Sequence, residues 1–233
     1  MVLHLDHIHA RAGSFDLHAD LTIEAGARVA VIGASGSGKS TALDVIAGFR
    51  MPQSGEVRWN GRAITQHAPA QRPISILFQD TNLFPHLTIQ QNLALALNPA
   101  TGALRSQDAQ RIEQVLDRVG LGGFGSRHLS EMSGGQQSRA ALARVLIQAR
   151  PVLLLDEPFA ALGPALKDEM LDLVESVASS DGSTVILVTH DPKDAERFAP
   201  QTIVVENGQV LPPQDTVDLL QNPPEGLRAY LGS

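Results

Sequence analysis

The 233-residue chain has no cysteine. That excludes disulfide frameworks, thiolate catalysis and cysteine-ligated metal sites. It also has no apolar run near the ~20 residues that a bilayer-spanning helix needs, so a membrane role has to pass through a partner. The opening Met-Val-Leu-His-Leu-Asp-His-Ile-His lacks a basic stretch followed by an apolar one, and we expect no signal peptide. Positive charge is scarce: 18 Lys and Arg against 25 Asp and Glu leave a net charge of −7. That balance argues against a broad nucleic-acid surface, and no nucleic-acid partner is expected. Internal repeats and low-complexity segments are lacking as well.

What is present is an ordinary apolar share, 43%, enough for a core. The length suits one core domain with an inserted subdomain. Leu17, Ala19, Leu21 and Ile23 alternate with polar residues, the period of a half-buried strand. Arg28 to Ile32, Ile74 to Phe78, Val152 to Leu155, Thr184 to Thr189 and Thr202 to Val205 read as further strands. Val57 to Trp59 runs into Asn60-Gly61, a hairpin signal. Helices are expected from Lys39 to about Ala47 and from Pro164 to Ser179. The second would bury Leu166, Met170, Leu173 and Val177.

From Thr81 to Arg150 the strand signals vanish and helical periods take over. Ile112, Val115, Leu116 and Val119 fall at i, i+3, i+4, i+7, with Ser106 as N-cap and Gly120 as stop. Strand–helix alternation elsewhere implies an α/β fold with a largely parallel sheet. Residues 1–80 and 151–233 would form its core and 81–150 a helical insertion.

Between a strand and a helix, Gly33-Ala34-Ser35-Gly36-Ser37-Gly38-Lys39-Ser40 matches the phosphate-loop pattern G-x-x-x-x-G-K-[ST] in full. Its glycines let the backbone curl so that successive N–H groups point at phosphate oxygens. The following helix adds the positive end of its dipole. Lys39 supplies a charge for the outer phosphates, Ser40 a hard oxygen for Mg²⁺, and Thr41 a further donor. ATP and Mg²⁺ are the expected ligands. Val152-Leu153-Leu154-Leu155-Asp156-Glu157 is an apolar strand ending in two carboxylates. Asp156 would approach the metal, and Glu157 would orient the attacking water or take its proton.

With these motifs the chain resembles the nucleotide-binding domains of ABC transporters, over nearly its whole length. Gln79 in Leu77-Phe78-Gln79-Asp80 is similar to the Q-loop, Met132-Ser133-Gly134-Gly135-Gln136 to the L-S-G-G-Q signature, and Val188-Thr189-His190-Asp191 to the H-loop. The resemblance implies a P-loop NTPase core, an antiparallel β subdomain and an inserted helical subdomain. It implies Gln79 at the metal and γ-phosphate, and His190 at the γ-phosphate and attacking water. It further implies that Ser133, Gly134, Gly135 and Gln136 of one copy face the nucleotide of another in a head-to-tail homodimer. On the residues alone, Ser133 can cap a helix reaching about Ala149.

Phe159-Ala160-Ala161-Leu162-Gly163 departs from the family's S-A-L-D pattern, losing a hydroxyl at Ala160 and a carboxylate at Gly163. His9, Arg11 and Phe15 are the candidates for stacking on adenine. His7 and His9 share a strand face, which is compatible with metal binding, but no acidic or cysteine partner is expected near them, so His4, His7 and His9 read as a solvated strand edge.

The stretch from Arg72 to Thr88, running on to Asn98-Pro99, together with Gly48-Phe49, resembles the ATPases of thiamine importers. That resemblance implies membrane permease partners, a periplasmic substrate-binding protein acting indirectly, and a peripheral place on the cytoplasmic face of the inner membrane. Leu83 to Leu87 is the candidate dock for a permease helix; the other reading is that Leu83, Phe84 and Leu87 only pack the insertion's own core. The alternatives are the ATPase of another small-solute or metal importer, or an ABC ATPase outside transport.

Overall fold

The structure, a computed structural model, describes residues 2–79, 83–224 and 226–228. Asp80, at the end of the expected Q-loop, and Thr81 and Asn82 beside it lie outside the described residues.

Five strands make a parallel sheet: β3 (Arg28–Ile32), β6 (Ile74–Leu77), β7 (Val152–Asp156), β8 (Thr184–Val188) and β9 (Gln201–Glu206). Their apolar runs suit strands covered on both faces. Alternate residues feed two cores. Ala30, Ile32, Leu153, Leu155, Val185 and Leu187 face one; Val29, Val31, Leu154, Ile186 and Val188 face the other.

An antiparallel layer continues the sheet. It holds β1 (Val2–Ala12), β2 (Phe15–Glu24), β4 (Ser54–Trp59) and β5 (Arg62–Ala63). β10 (Gln209–Val210) bridges the two parts, parallel to β2 and antiparallel to β9. The spatial order is β5-β4-β1-β2-β10-β9-β3-β8-β7-β6, with β11 (Gln214–Asp215) paired to β9. The Asn60-Gly61 turn joins β4 to β5 as expected, both residues at positive φ.

Helix α1 (Lys39–Ala47) packs against the antiparallel side. On the opposite core sit α2 (Ile89–Leu97), α3 (Ser106–Arg118), α4 (Gly134–Leu146) and α5 (Pro164–Asp181), joined by α6 (Pro192–Phe198) and α7 (Thr216–Gln221). The α3 stripe Ile112, Val115, Leu116 and Val119 is buried, and Gly120 follows at φ 71°.

Three local expectations need correction. Ser106 is the first residue of α3 rather than its cap; Arg105 takes the cap position. The Asp108 carboxylate accepts the Arg105 N–H at 3.2 Å and so starts the helix one residue early. Along α5, Leu171, Val174 and Ala178 join Met170 and Val177 in burial, while Leu166 and Leu173 are only half-buried. The sheet meets a ridge rotated from the expected one.

The third concerns β1, where His4 and His7 do have acidic neighbours, Asp6 and Asp20, against expectation. Its burial runs Leu3, Leu5, then Ile8, Ala10, because a bulge breaks the pairing with β2 between Leu5 and Ile8. Strict alternation would place His4 and Asp6 opposite His7 and His9. The bulge leaves all four on the outer face.

Candidate functional site

The phosphate loop joins the end of β3 to α1. Gly33, Gly36 and Gly38 all have positive φ, at 155°, 77° and 113°. A Cβ on Gly33 would run into the Val205 carbonyl oxygen, and one on Gly38 would lie 2.9 Å from Phe15 and Leu17. The loop therefore arches tightly over β9 and β2, and only glycine fits. The Ser37 hydroxyl is buried without a hydrogen-bond partner among the described residues. No side chain caps α1 at Gly38, so its first N–H groups face the loop's concavity at the positive end of the helix. Lys39 Nζ donates to the Gly33 and Ala34 carbonyls at 2.6 and 3.0 Å. Burial pulls the Lys39 pKa down, with Glu157 and Asp156 pulling it back up.

Two neighbouring strands deliver the remaining chemistry. β7 ends at Asp156, whose pKa is raised by burial first and then by the charges of Glu157 and Asp44, against the pull of Lys39. Glu157 leaves the strand at φ 45°, an uncommon conformation for a side chain of its size, while its N–H bonds the Val188 carbonyl at 3.0 Å. This turn aims the carboxylate at His190, just past β8, where His190 Nδ1 lies 3.0 Å from Glu157 Oε2. Gly33, Ser35, Gly36, Gly38, Lys39, Ser40, Thr41, Glu157 and His190 share one cavity of about 500 Å³, at the carboxyl ends of parallel strands where α/β sheets place their ligands.

Phe15 also lines that cavity. The other two stacking candidates are engaged elsewhere. Arg11 Nε and His9 Nε2 each lie 3.0 Å from Asp16 Oδ1, and His9 stacks on His18. Arg11 first and His9 second hold the Asp16 carboxyl at about 2.

Ser133 caps α4: its hydroxyl accepts the Gln136 N–H at 3.4 Å, and the Gln136 side chain accepts the Ser133 N–H at 3.0 Å. Residues 133–136 are not among the described residues lining the phosphate cavity, and neither are Gln79 and Asp156. Gln79 lies exposed beyond β6. Asp156 sits behind, close enough to Lys39 for their charges to interact.

Two residues escaped the sequence reading. Lys167 on α5 clamps the segment carrying His190, with Nζ 2.8 Å from Asp191 Oδ2 and 2.7 Å from Asp194 Oδ1. Arg72, 1% exposed, donates to the Val45 and Ile46 carbonyls at 2.7 Å each and so caps the far end of α1. Neither leaves a local pattern, because the contacts to Asp191, Val45 and Ile46 span 24 to 27 residues, although Arg72 also donates to the nearer Thr65 and His67 carbonyls.

Gly163 is the N-cap of α5 and makes no side-chain cap bond, so the departure from the family pattern costs the helix its capping carboxylate. A second cavity, about 520 Å³, lies between β6 and α4. Leu83 and Phe84 line it, with Phe49 and Phe78 exposed beside them. No helix among the described residues is long and apolar enough to cross a membrane.

A glycine arch at a helix start, an acidic strand end and a histidine over the same cavity define a P-loop nucleotide-binding cassette. Comparison with known proteins narrows the class. The ABC transporter family profile matches residues 17–160. The chain is 55% identical to the thiamine import ATP-binding protein ThiQ of Ruegeria sp. (strain TM1040), covering all of both chains. It is 56% identical to the protein of that name from Cereibacter sphaeroides, over 99% of this chain and 100% of that one.

Among solved structures, the ADP form of the ATP-binding cassette MJ1267 superposes with a TM-score of 0.89 at 24% identity, over 100% of this chain and 99% of that one. The dimeric post-hydrolysis state of the cassette MJ0796 does so with a TM-score of 0.75 at 28% identity, over 92% and 98%. The chain belongs to the ABC transporter family, whose ATP-binding subunits hydrolyse ATP.

Proposed function

We propose that this chain is the ATPase subunit of a thiamine importer. The observation that carries this reading is identity above one half, end to end, with thiamine import ATP-binding proteins. No residue of the chain needs to touch thiamine; its part is to turn ATP binding and hydrolysis into motion of membrane partners.

The nucleotide-binding core is assigned to residues 1–80 and 151–233, and the helical insertion to 81–150. The loop Gly33–Ser40 and Thr41 hold the phosphates. Phe15 packs against the base, since it lines the cavity beside the loop. The fit to a Mg²⁺-bound phosphate rests on the bare helix start, the buried Ser37 hydroxyl and the adjacent carboxylate pair. Ser40, Gln79 and Asp156 would hold Mg²⁺, which supplies charge neutralisation on the phosphate oxygens when bound. Glu157 orients the attacking water and takes its proton, and His190, hydrogen-bonded to Glu157, steadies that carboxylate and the γ-phosphate.

Ser133, Gly134, Gly135 and Gln136 meet the γ-phosphate held by a second copy, consistent with their place outside this chain's own cavity. Two copies would close on two nucleotides, because only the triphosphate satisfies both sides of that contact. The apolar groove at Leu83, Phe84 and Phe49 suits a short permease helix. A periplasmic binding protein would act through the permease, and the chain would sit at the cytoplasmic face of the inner membrane.

The test is reconstitution in liposomes with a thiamine permease and its binding protein. Thiamine should stimulate ATP hydrolysis and enter the vesicles. Hydrolysis without thiamine-dependent stimulation would remove the cargo assignment, and absence of hydrolysis would remove the whole reading.

A further inference from the structure

The bulge in β1 does more than shift a strand. Two residues of β1, Asp6 and His7, oppose the single residue Asp20 of β2, since Leu5 pairs with Leu21 and Ile8 with Ala19. The neighbouring strand is built around this feature. Gly55 of β4, at φ 85°, faces the Asp6 and His7 carbonyls so closely that any Cβ there would collide with them. The result is a cluster on the outer face of the antiparallel layer, on strands that supply none of the catalytic groups.

Its geometry is specific. His4 Nε2 lies 3.8 Å from Asp20 Oδ1, and His7 Nε2 lies 3.6 Å from Asp20 Oδ2. Both are too long for hydrogen bonds. They are close to the roughly 3.3–3.6 Å that separates two ligand atoms bonded to one tetrahedral Zn²⁺ at ~2.0–2.2 Å. Ligand atoms of His4, Asp6 and Asp20 all fall within 4.8 Å of one another. His7 Nδ1 is 2.8 Å from Asp6 Oδ1, the carboxylate–imidazole pairing that orients a metal-binding ring so that Nε2 points outward.

We propose that His4, Asp6 and Asp20, with His7 as an adjoining ligand, form a binding site for a divalent d-block cation of the Zn²⁺ type. One imidazole and two carboxylates that converge, with the His7 imidazole next to them, are a borderline donor set that suits Zn²⁺ better than Mg²⁺. The cation would tie β1 to β2 across the bulge. Arg58, whose Nε is 3.2 Å from Asp6 Oδ2, also bonds Glu56 at 2.8 Å and opposes the cation by charge. That opposition makes the site one of moderate affinity.

The experiment uses the full chain without an affinity tag, free of nucleotide and Mg²⁺. Zn²⁺ is titrated by calorimetry, and Co²⁺ is followed by its visible absorption. One equivalent should bind in the micromolar range. His4→Ala and Asp20→Asn should each weaken it at least tenfold while leaving MgATP hydrolysis and circular dichroism unchanged. Arg58→Gln should tighten it severalfold. His18→Ala, on the same face, should leave it intact. The proposal fails if Zn²⁺ binds wild type and the His4 and Asp20 variants alike. It fails equally if binding is lost in Asp156→Asn instead, or if no stoichiometric binding occurs below about 100 µM.

Discussion

His190 and Glu157 meet across the mouth of the phosphate cavity, Nδ1 to Oε2 at 3.0 Å. Each follows the end of a parallel strand, β8 and β7, and the Glu157 N–H is bonded to the last residue of β8. The contact holds the carboxylate beside the glycine arch of residues 33–40. Glu157→Gln keeps the size and removes the proposed base. We expect phosphate release to fall about 10²–10⁴-fold while a fluorescent ATP analogue binds with near-normal affinity. Unchanged turnover in this variant would take Glu157 out of the reaction.

Asp156 carries a different trade. Burial first, and then the neighbouring Glu157 and Asp44, raise its pKa, so its ionised form is strained in the folded chain. Asp156→Asn relieves that strain. In the absence of nucleotide the variant should melt about 1–3 °C higher, allowing for partial solvent exposure. The same change should reduce Mg²⁺-dependent ATP affinity. A lower melting temperature would contradict the strain argument.

Gly163 caps α5 at φ −65° and ψ 157° without a side-chain bond. A Cβ there would meet nothing within 4 Å. Gly163→Asp should therefore add a cap and stabilise the chain by roughly a few tenths of a kcal/mol. Urea denaturation measures this directly. If the carboxylate also serves communication between two sites, the ATP dependence of hydrolysis in the variant should become steeper.

The Lys167 cluster predicts a pH dependence. The bond from Lys167 holds the Asp191 carboxyl below its ordinary pKa. Its stabilisation is present above the unfolded-state value and lost as pH falls through the lowered one. Burial works against the Lys167 charge, but its bonds to Asp191 and Asp194 together outweigh that and raise its pKa. This part is present at neutral pH and lost as pH rises through the raised value. Lys167→Met should cost about 1 kcal/mol at pH 7 for a partly screened cluster. In urea titrations the gap from wild type should narrow towards pH 3; a gap independent of pH would mean that packing, not charge, is lost.

The local structure at Gly33–Ser40, Ser133–Gln136 and Asp156-Glu157 was legible because each depends on residue types at short spacing. A glycine arch, a capping box and an acidic strand end are local objects, set by backbone conformation and by neighbours within one turn of chain. The parallel strands were legible for a similar reason, since burial on both faces demands an unbroken apolar run.

What only the tertiary structure decided lies across the sheet. The bulge that turns His4, Asp6 and His7 towards Asp20 depends on room left by Gly55 on another strand. The clamp of Lys167 on the His190 segment, and that of Arg72 on α1, join residues far apart in the chain. Such contacts carry no periodic signature. Their strength comes from desolvation and from distances set when separate elements pack, and linear order does not encode either.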